Sequence, residues 1–509
     1  MRKTERRTSG NSILRMVFVG IALLFQGGWI LLRVKWLNDY FEVISAITGL
    51  LSILVVLKLN SKPTNSAMKM PWIMLILAFP VLGLCMYLLF GMLGDPGVEK
   101  RLGAVRAQIQ QQTEVDDTSA ISHLAAENQS AANVSRCLHQ QAKALLYQNT
   151  AVKYYGDTRD ALEDMKTALS QAEHFIFMEY FIVEDASAFR ELEEILIQKA
   201  RSGVEVRLMY DDIGSVGKVN MRFAQKMNRE GIRCVPFNPA LPFLNLFMNH
   251  RDHRKITVID GKVGFTGGYN LADEYFNRTH PYGLWKDTGI RLEGEAVRAL
   301  TATFLELWCV QTRENPHCET YLNVHHSIAA PGFVQPFGDD PLDTQRIAEN
   351  VYLNLIHQAQ KKLYLLTPYL IITDEMQHAL GLAAQRGVDV RLITPGIPDK
   401  KTVYAITRSY YSGLLEQGVR IYEYAPGFCH GKQCLCDDRM ALIGTSNLDY
   451  RSLYHHFENN VLLVDCDAIA HMATDFDAML ALSTPVTQGS RNTLLRFWQH
   501  ILRLFAPLI

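Results

Sequence analysis

The hydrophobic pattern divides the chain in two. Over the first hundred residues apolar positions run together: 16–32 is 17 residues without a charge, 43–57 another 15, and 70–94 another 25. A helix rises about 1.5 Å per residue, so about 20 residues cross a ~30 Å hydrocarbon core. The pattern predicts a transmembrane anchor at 1–100 with two or three helices. The third stretch is long enough. The first becomes so with Ile13, Leu14 and a snorkelling Arg15. The second is diluted by Glu42, Ser45, Thr48 and Ser52. A cleaved signal peptide starting at Arg2, Lys3, Arg6 and Arg7 fits less well, because the first run ends in Trp29, Ile30, Leu31 and Leu32 rather than in small residues. The basic start favours a cytoplasmic N-terminus. Lys58, Lys62 and Lys69 pull one way and Lys100, Arg101 and Arg106 the other, so the number of spans and the side of the active site stay open.

After this region the texture changes. Residues 101–145 are rich in Gln, Ala and Ser and read as a helical linker. From 146, short apolar runs alternate with amphipathic stretches. The run 175–182 reads as a buried strand, 189–199 has helical spacing, and 204–209 reads as the next strand. Strand, helix, strand in this order predicts an α/β layer.

The order returns later in the chain. Gly203, Val204, Val206, Arg207 and Leu208 match Gly387, Val388, Val390, Arg391 and Leu392, an offset of 184 residues. Gly231 and Arg233 match Gly418 and Arg420 at an offset of 187. That period is too long for a solenoid and indicates a duplicated domain. Ala329, Ala330, Pro331, Gly332 and Pro336 mark a loop between the copies, giving domains at 146–330 and 335–488. Residues 489–509 form a predicted amphipathic C-terminal helix. Leu494, Leu495, Trp498, Ile501, Leu502 and Phe505 lie on one face, either packed on the catalytic body or lying on anionic lipid.

Each copy carries one polar constellation. The first holds His253, Lys255, Asp260, Gly267 and Asn270; the second holds His430, Lys432, Asp437, Gly444, Ser446 and Asn447. Counted from the histidine, Lys is at +2, Asp at +7, Gly at +14 and Asn at +17 in both. Residues two apart on a strand share a face, so His and Lys emerge together. An ammonium beside an imidazole makes a pocket that holds a phosphate near a nucleophilic or acidic nitrogen. Gly allows close backbone approach and Asn adds an amide donor. The Asp at +7 is placed to orient the histidine from a turn. Singly, His-x-Lys is a common solvated strand face and Asp260-Gly261 a common hairpin turn. Two matching sets in a duplicated frame point to catalysis.

The two sets match the His-x-Lys-x4-Asp signature of the phospholipase D superfamily. The stretch Gly-Gly-Tyr-Asn-Leu-Ala-Asp-Glu-Tyr at 267–275 resembles bacterial cardiolipin synthases, as do 285–294, 367–369 and 444–452. So does the anchor around Ser66, Ala67 and Met68. The resemblance covers nearly the whole chain. It departs at Cys434 and Cys436, where that family commonly has aliphatic residues. It implies two phospholipase D-like α/β domains forming one shared active site behind a helical membrane region. One histidine would attack the phosphorus of a phosphatidyl donor and the other would protonate the leaving alcohol. Family precedent makes His253 the nucleophile and His430 the general acid/base; the two sequence contexts alone do not decide. Donor and acceptor would both be phosphatidylglycerol, with glycerol released. Asn270, Asn447, Gly267, Gly444 and Ser446 would contact substrate. No metal or other cofactor is implied. The location implied is the bacterial cell membrane, multi-pass.

Composition trims the rivals. Lys and Arg number 51 against 52 Asp and Glu, with a pI near 7.0, so a nucleic-acid partner and a nuclease of the same superfamily are disfavoured. Nine scattered cysteines exclude a small disulfide framework. Cys429, Cys434 and Cys436 beside His430 lack the paired spacing of a zinc site. A hydrolase, or an exchange enzyme using another alcohol, shares the same chemistry and remains the alternative. A non-catalytic scaffold should have lost part of a His-Lys-Asp set, and all six residues are present. The apolar run 241–248 reads as core or as a lipid-facing loop.

Overall fold

The computed structural model describes residues 41–62, 64–88, 96–113, 118–239, 250–316, 318–343, 345–487, 502–503 and 506. The first hydrophobic stretch, the run 241–248 and all but three residues of the C-terminal helix lie outside these. The chain divides into two compact units, Met1–Met92 and Leu93–Ile509.

In the first unit, helices cover Phe41–Ser61, Ser66–Ala78 and Pro80–Met86. Asn65 caps the second helix by accepting the Ala67 N–H at 2.8 Å. The 25-residue span expected at 70–94 is broken within its described part, 70–88. Pro80 lacks an N–H and forces Phe79 out of helical geometry (φ −136°, ψ 76°), so the stretch folds back as two short helices. Gly83 permits that fold-back, since a Cβ there would sit 2.5 Å from Ile76 Cα. Among the described residues no helix is long and apolar enough to cross a membrane.

Among the described residues the second unit holds two large sheets and one two-stranded pair. The strands of the first repeat are β1 (Thr150–Tyr155), β2 (Phe175–Tyr180), β3 (Glu205–Asp211), β4 (Arg233–Phe237), β5 (Arg251–Asp252), β6 (Lys255–Ile259), β7 (Val263–Gly267), β8 (Leu284–Lys286) and β9 (Gly289–Gly294). The second repeat has β10 (Phe333–Asp339), β11 (Lys362–Leu366), β12 (Asp389–Pro395), β13 (Arg420–Tyr424), β14 (Gly427–Cys429), β15 (Gln433–Cys436), β16 (Met440–Gly444), β17 (His456–Val464) and β18 (Ser483–Pro485). The sheet orders are β1-β9-β7-β6-β2-β3-β4 and β10-β17-β16-β15-β11-β12-β13-β18. Strand for strand the second repeats the first, with β18 added at one edge. In both, three parallel strands continue into an antiparallel meander.

The central strands are mostly apolar because both faces are covered, with buried charges such as Glu179 on β2 and Asp211 on β3 as exceptions. β2 is buried at every position. One face of each sheet enters a common core: Ile256, Val258, Phe304 and Trp308 from the first repeat meet Leu435, Ile443, Phe457 and Phe476 from the second. The expected linker is a packed part of this body. Its helices Pro96–Thr113 and Gln129–Ala142 bury Leu102, Val105 and Ile109, and Val134 and Leu138. Gln335 on β10 donates to the carbonyls of Ser135 and Ala144 at 3.2 and 3.1 Å.

Two short pieces stitch the repeats together. β5 pairs in parallel with β17, and β14 in parallel with β8. Each lies immediately ahead of a signature histidine.

Candidate active site

The stitching delivers each histidine to the other repeat. His253 donates its backbone N–H to Phe457 O at 2.9 Å, and its Nδ1 lies 2.9 Å from both oxygens of Glu458. His430 donates its backbone N–H to Lys286 O at 2.6 Å, and its Nδ1 lies 2.6 Å from Asp287 Oδ2. So each imidazole is held by a carboxylate some 200 or 140 residues away, one residue past its backbone partner. The two carboxylates occupy equivalent places. Asp287 stands two residues before Gly289, which pairs with Gly267; Glu458 stands two before Asn460, which pairs with Gly444. With Nδ1–H given to the carboxylate, Nε2 carries the free lone pair or the mobile proton.

The expected role of the +7 aspartates is corrected. Asp260 accepts the backbone N–H groups of Glu173, His174 and Phe175 at 2.7–2.8 Å. Asp437 does the same for Gln360, Lys361 and Lys362 at 2.7–2.9 Å. Each sits in a left-handed turn, φ 52° and 53°, and ties that turn to the start of the neighbouring central strand. Neither carboxylate hydrogen-bonds to His253 or His430, whose Nδ1 atoms meet Glu458 and Asp287 instead. The orienting groups, Glu458 and Asp287, were missed because the signature spacing is blind to a partner supplied by the opposite copy.

The lysines are where the +2 spacing puts them, but deeper. Lys255 and Lys432 are each 1% exposed. Lys255 Nζ lies 2.5 Å from the His253 carbonyl. Lys432 Nζ lies 2.8 Å from each ring nitrogen of His430. Burial lowers Lys255 to about 8 and Lys432 to about 7. Burial also holds both histidines neutral: His430, opposed by Lys432 and supported by Asp287, falls to about 4, and His253 well below its usual value. The carboxylates differ. Burial raises Glu458 far above the usual range. Asp287 feels the same burial, yet His430 and Lys432 hold it below the usual range.

Both histidines open onto one cavity of about 650 Å³. Phe181, Tyr275, Tyr282, Trp285, Tyr369 and Phe428 line it, with Asn270, Asn447, Lys218, Lys400, Arg451 and His456. Ala506, from the C-terminal segment, closes part of the wall. Asn270 and Asn447 are both at the cavity, and the Asn270 side-chain Oδ1 accepts the Ile182 N–H at 3.0 Å. Gly267, Gly444 and Ser446 are not in its lining. Gly267 lets β7 close on β9, where a Cβ would stand 2.5 Å from Gly289 Cα; at Gly444 it would stand 2.4 Å from Asn459 O. Ser446 Oγ accepts from Asn460 at 2.8 Å. Gly268, beside Gly267 in the same stretch, makes room for the orienting carboxylate: an added Cβ would lie 2.0 Å from Asp287 Oδ1. Cys429, Cys434 and Cys436 are all buried core residues.

The base of the site is fixed by buried charge. Arg251 on β5 forks onto Asp211 of β3 at 2.7–3.0 Å, and Asp211 Oδ2 also accepts the Asp252 N–H at 3.0 Å. Breaking such a buried pair costs about 3–5 kcal/mol, so the backbone carrying His253 is strongly held.

Comparison with known proteins agrees with this geometry. Residues 165–308 and 352–480 match the family model described as cardiolipin synthase, PLD-like domain, and 47–91 match the phospholipase D-nuclease N-terminal model. A cardiolipin synthase of Halalkalibacterium halodurans is 35% identical over 448 residues, 87% of this chain and 88% of that one. A cardiolipin synthase of Geobacillus sp. is 34% identical over 493 residues, 93% and 96% of the two chains. Among solved structures, a phosphatidylserine synthase of Haemophilus influenzae shares the fold, with a TM-score of 0.56 at 16% identity, covering 74% of this chain and 99% of that one. Two matched repeats, two histidines on one cavity and relatives spanning most of the chain lead to one conclusion: this protein belongs to the cardiolipin synthase family of the phospholipase D superfamily.

Proposed function

We propose that the protein is a membrane-bound phosphatidyltransferase that converts two phosphatidylglycerol molecules to cardiolipin and glycerol. The observation that carries this reading is the pair of crossed histidine–carboxylate contacts facing a single cavity. The bound phosphodiester anion favours the protonated form of His430, so His253 Nε2 attacks the phosphorus of the first lipid while the His430 imidazolium gives its Nε2 proton to the leaving glycerol oxygen. The phosphatidyl group then rests on His253. His430, now neutral, takes the proton of the second lipid's primary hydroxyl as that oxygen attacks, and His253 is released. Leaving group and nucleophile are both primary alcohols, so one imidazole of one basicity serves both steps. Lys255 and Lys432 offset the charge on the equatorial oxygens without a metal.

The asymmetry between the pairs supports the assignment of roles. Asp287 is held in its ionised form beside His430, so it stabilises the imidazolium that His430 becomes when it carries the proton. Glu458, pushed toward its neutral form, leaves His253 with less charge to carry. Asn270 and Asn447, both on the cavity, are placed to donate to the phosphate or headgroup.

A membrane anchor in the first unit is supported by its surface. Val43, Ile47, Leu50, Leu54, Leu57, Leu77 and Phe79 are all more than half exposed within this chain. So many exposed large apolar side chains mark contact with lipid or another apolar partner. The reading places the protein in the bacterial cell membrane, with anionic lipid as its surroundings.

The test is incubation of the purified protein with phosphatidylglycerol alone. Cardiolipin with an equal amount of glycerol is expected. Phosphatidic acid without cardiolipin would replace this reading with a hydrolase.

A further inference from the structure

We infer that His253, His456 and Glu458 form a binding site for a divalent transition-metal ion of the zinc type, and that the bound ion switches the catalytic histidine off. The three side chains offer ligand atoms that all lie within 4.8 Å of one another. Nδ1 of His253 and Nδ1 of His456 lie 2.9 and 3.9 Å from Glu458 Oε1. His456 has no part in the transfer steps above. It is 9% exposed, it lines the cavity, and both its ring nitrogens are buried without a hydrogen-bond partner. Its ring lies 5.4 Å from that of His253. A buried imidazole facing a cavity in this condition is completed by a ligand.

The donor set selects the ion. Two imidazoles and one carboxylate are the protein ligands of a zinc site whose fourth position is open, here toward the cavity. Magnesium and calcium prefer all-oxygen sets. Lys255, whose charge also acts on Glu458, opposes a second cation. The site therefore suits an ion that comes and goes rather than a resident cofactor.

The effect on catalysis follows from the tautomer and rests on the role given to His253. A metal ion on Nδ1 takes that nitrogen's lone pair. The proton formerly on Nδ1 moves to Nε2. Nε2 then has no lone pair for the phosphorus, and no atom is gained or lost apart from the ion.

The test uses the full-length protein, stripped with EDTA and titrated with Co²⁺. The expected result is a visible band of four-coordinate intensity that saturates at one equivalent, lacks thiolate charge transfer and is displaced by Zn²⁺. The His456→Asn protein should bind Co²⁺ about 10-fold more weakly or worse. It should also lose zinc inhibition measured against its own metal-free rate. His456→Gln serves if the asparagine protein does not fold. No saturable band in the wild type, a band with thiolate character, or undiminished binding by the His456 variants overturns the site. Zinc bound at the site with full activity overturns the switch. The cobalt band needs no lipid, so failure to make cardiolipin would leave it standing.

Discussion

His430 in the second repeat hydrogen-bonds through Nδ1 to Asp287 in the first, at 2.6 Å, and the mirror contact joins His253 to Glu458 at 2.9 Å. Neither repeat therefore contains a complete histidine of the kind the reaction needs. The active site exists only where β5 meets β17 and β14 meets β8.

Asp287→Asn and Glu458→Gln should act on chemistry rather than on binding. An amide in place of either carboxylate no longer holds the imidazole as the Nδ1–H tautomer. We expect kcat to fall roughly 10²–10⁴-fold with little change in KM. Steady-state kinetics and thermal unfolding check this together. A loss of stability with kcat preserved would make these carboxylates structural.

His253→Ala should abolish transfer and hydrolysis alike. His430→Ala should nearly abolish turnover of phosphatidylglycerol, but a donor carrying nitrophenol needs no proton at its leaving group. With that donor the His430→Ala protein should give a burst of nitrophenol and a phosphatidyl adduct on His253, located by mass spectrometry. An adduct on His430 in the His253→Ala protein, with none on His253 in the converse protein, reverses the assignment.

Separately expressed halves, 146–330 and 335–509, should each be inactive. The first lacks Glu458 for His253, and the second lacks Asp287 for His430. Turnover by either half alone would break the shared-site mechanism.

The lysines should set the alkaline limb of kcat/KM. Both fold with their ammonium destabilised by burial, to about 7 for Lys432 and about 8 for Lys255. Each is charged below its folded value and neutral above it, so phosphate binding weakens as pH rises through 7 and then 8. Arginine cannot deprotonate in this range. Lys432→Arg should therefore lower the maximum, because the fork fits poorly, and shift the limb upward toward the Lys255 value. A pH–rate profile with an unmoved limb would remove Lys432 from this role.

Much of the molecule was legible in the order of residues. The duplicated strand–helix–strand pattern followed from local alternation and from repeated Gly-Val-x-Val-Arg-Leu segments, which the structure places on β3 and β12. His253, Lys255, His430 and Lys432 were identified because the two copies share one spacing, although the structure places both histidines in the breaks between β5 and β6 and between β14 and β15 rather than on a strand. The misread positions have one physical cause. Asp260 and Asp437 sit at invariant spacing because each closes a backbone turn, a local task that produces a signal as regular as catalysis does. The uncharged run 70–94 looked continuous because charge counting ignores that Pro80 ends a helix whatever the hydropathy.

The sequence by itself determined the repeat, the two His-Lys pairs and the family they resemble, since all of these rest on contacts within a few residues. Only the tertiary structure decided which carboxylate holds which histidine, that both lysines are buried enough to titrate near neutrality, and that His456 joins the nucleophile at the cavity. Those depend on long-range strand pairing between the copies and on exclusion of water at their interface. A residue's chemistry there is set by neighbours more than a hundred positions away.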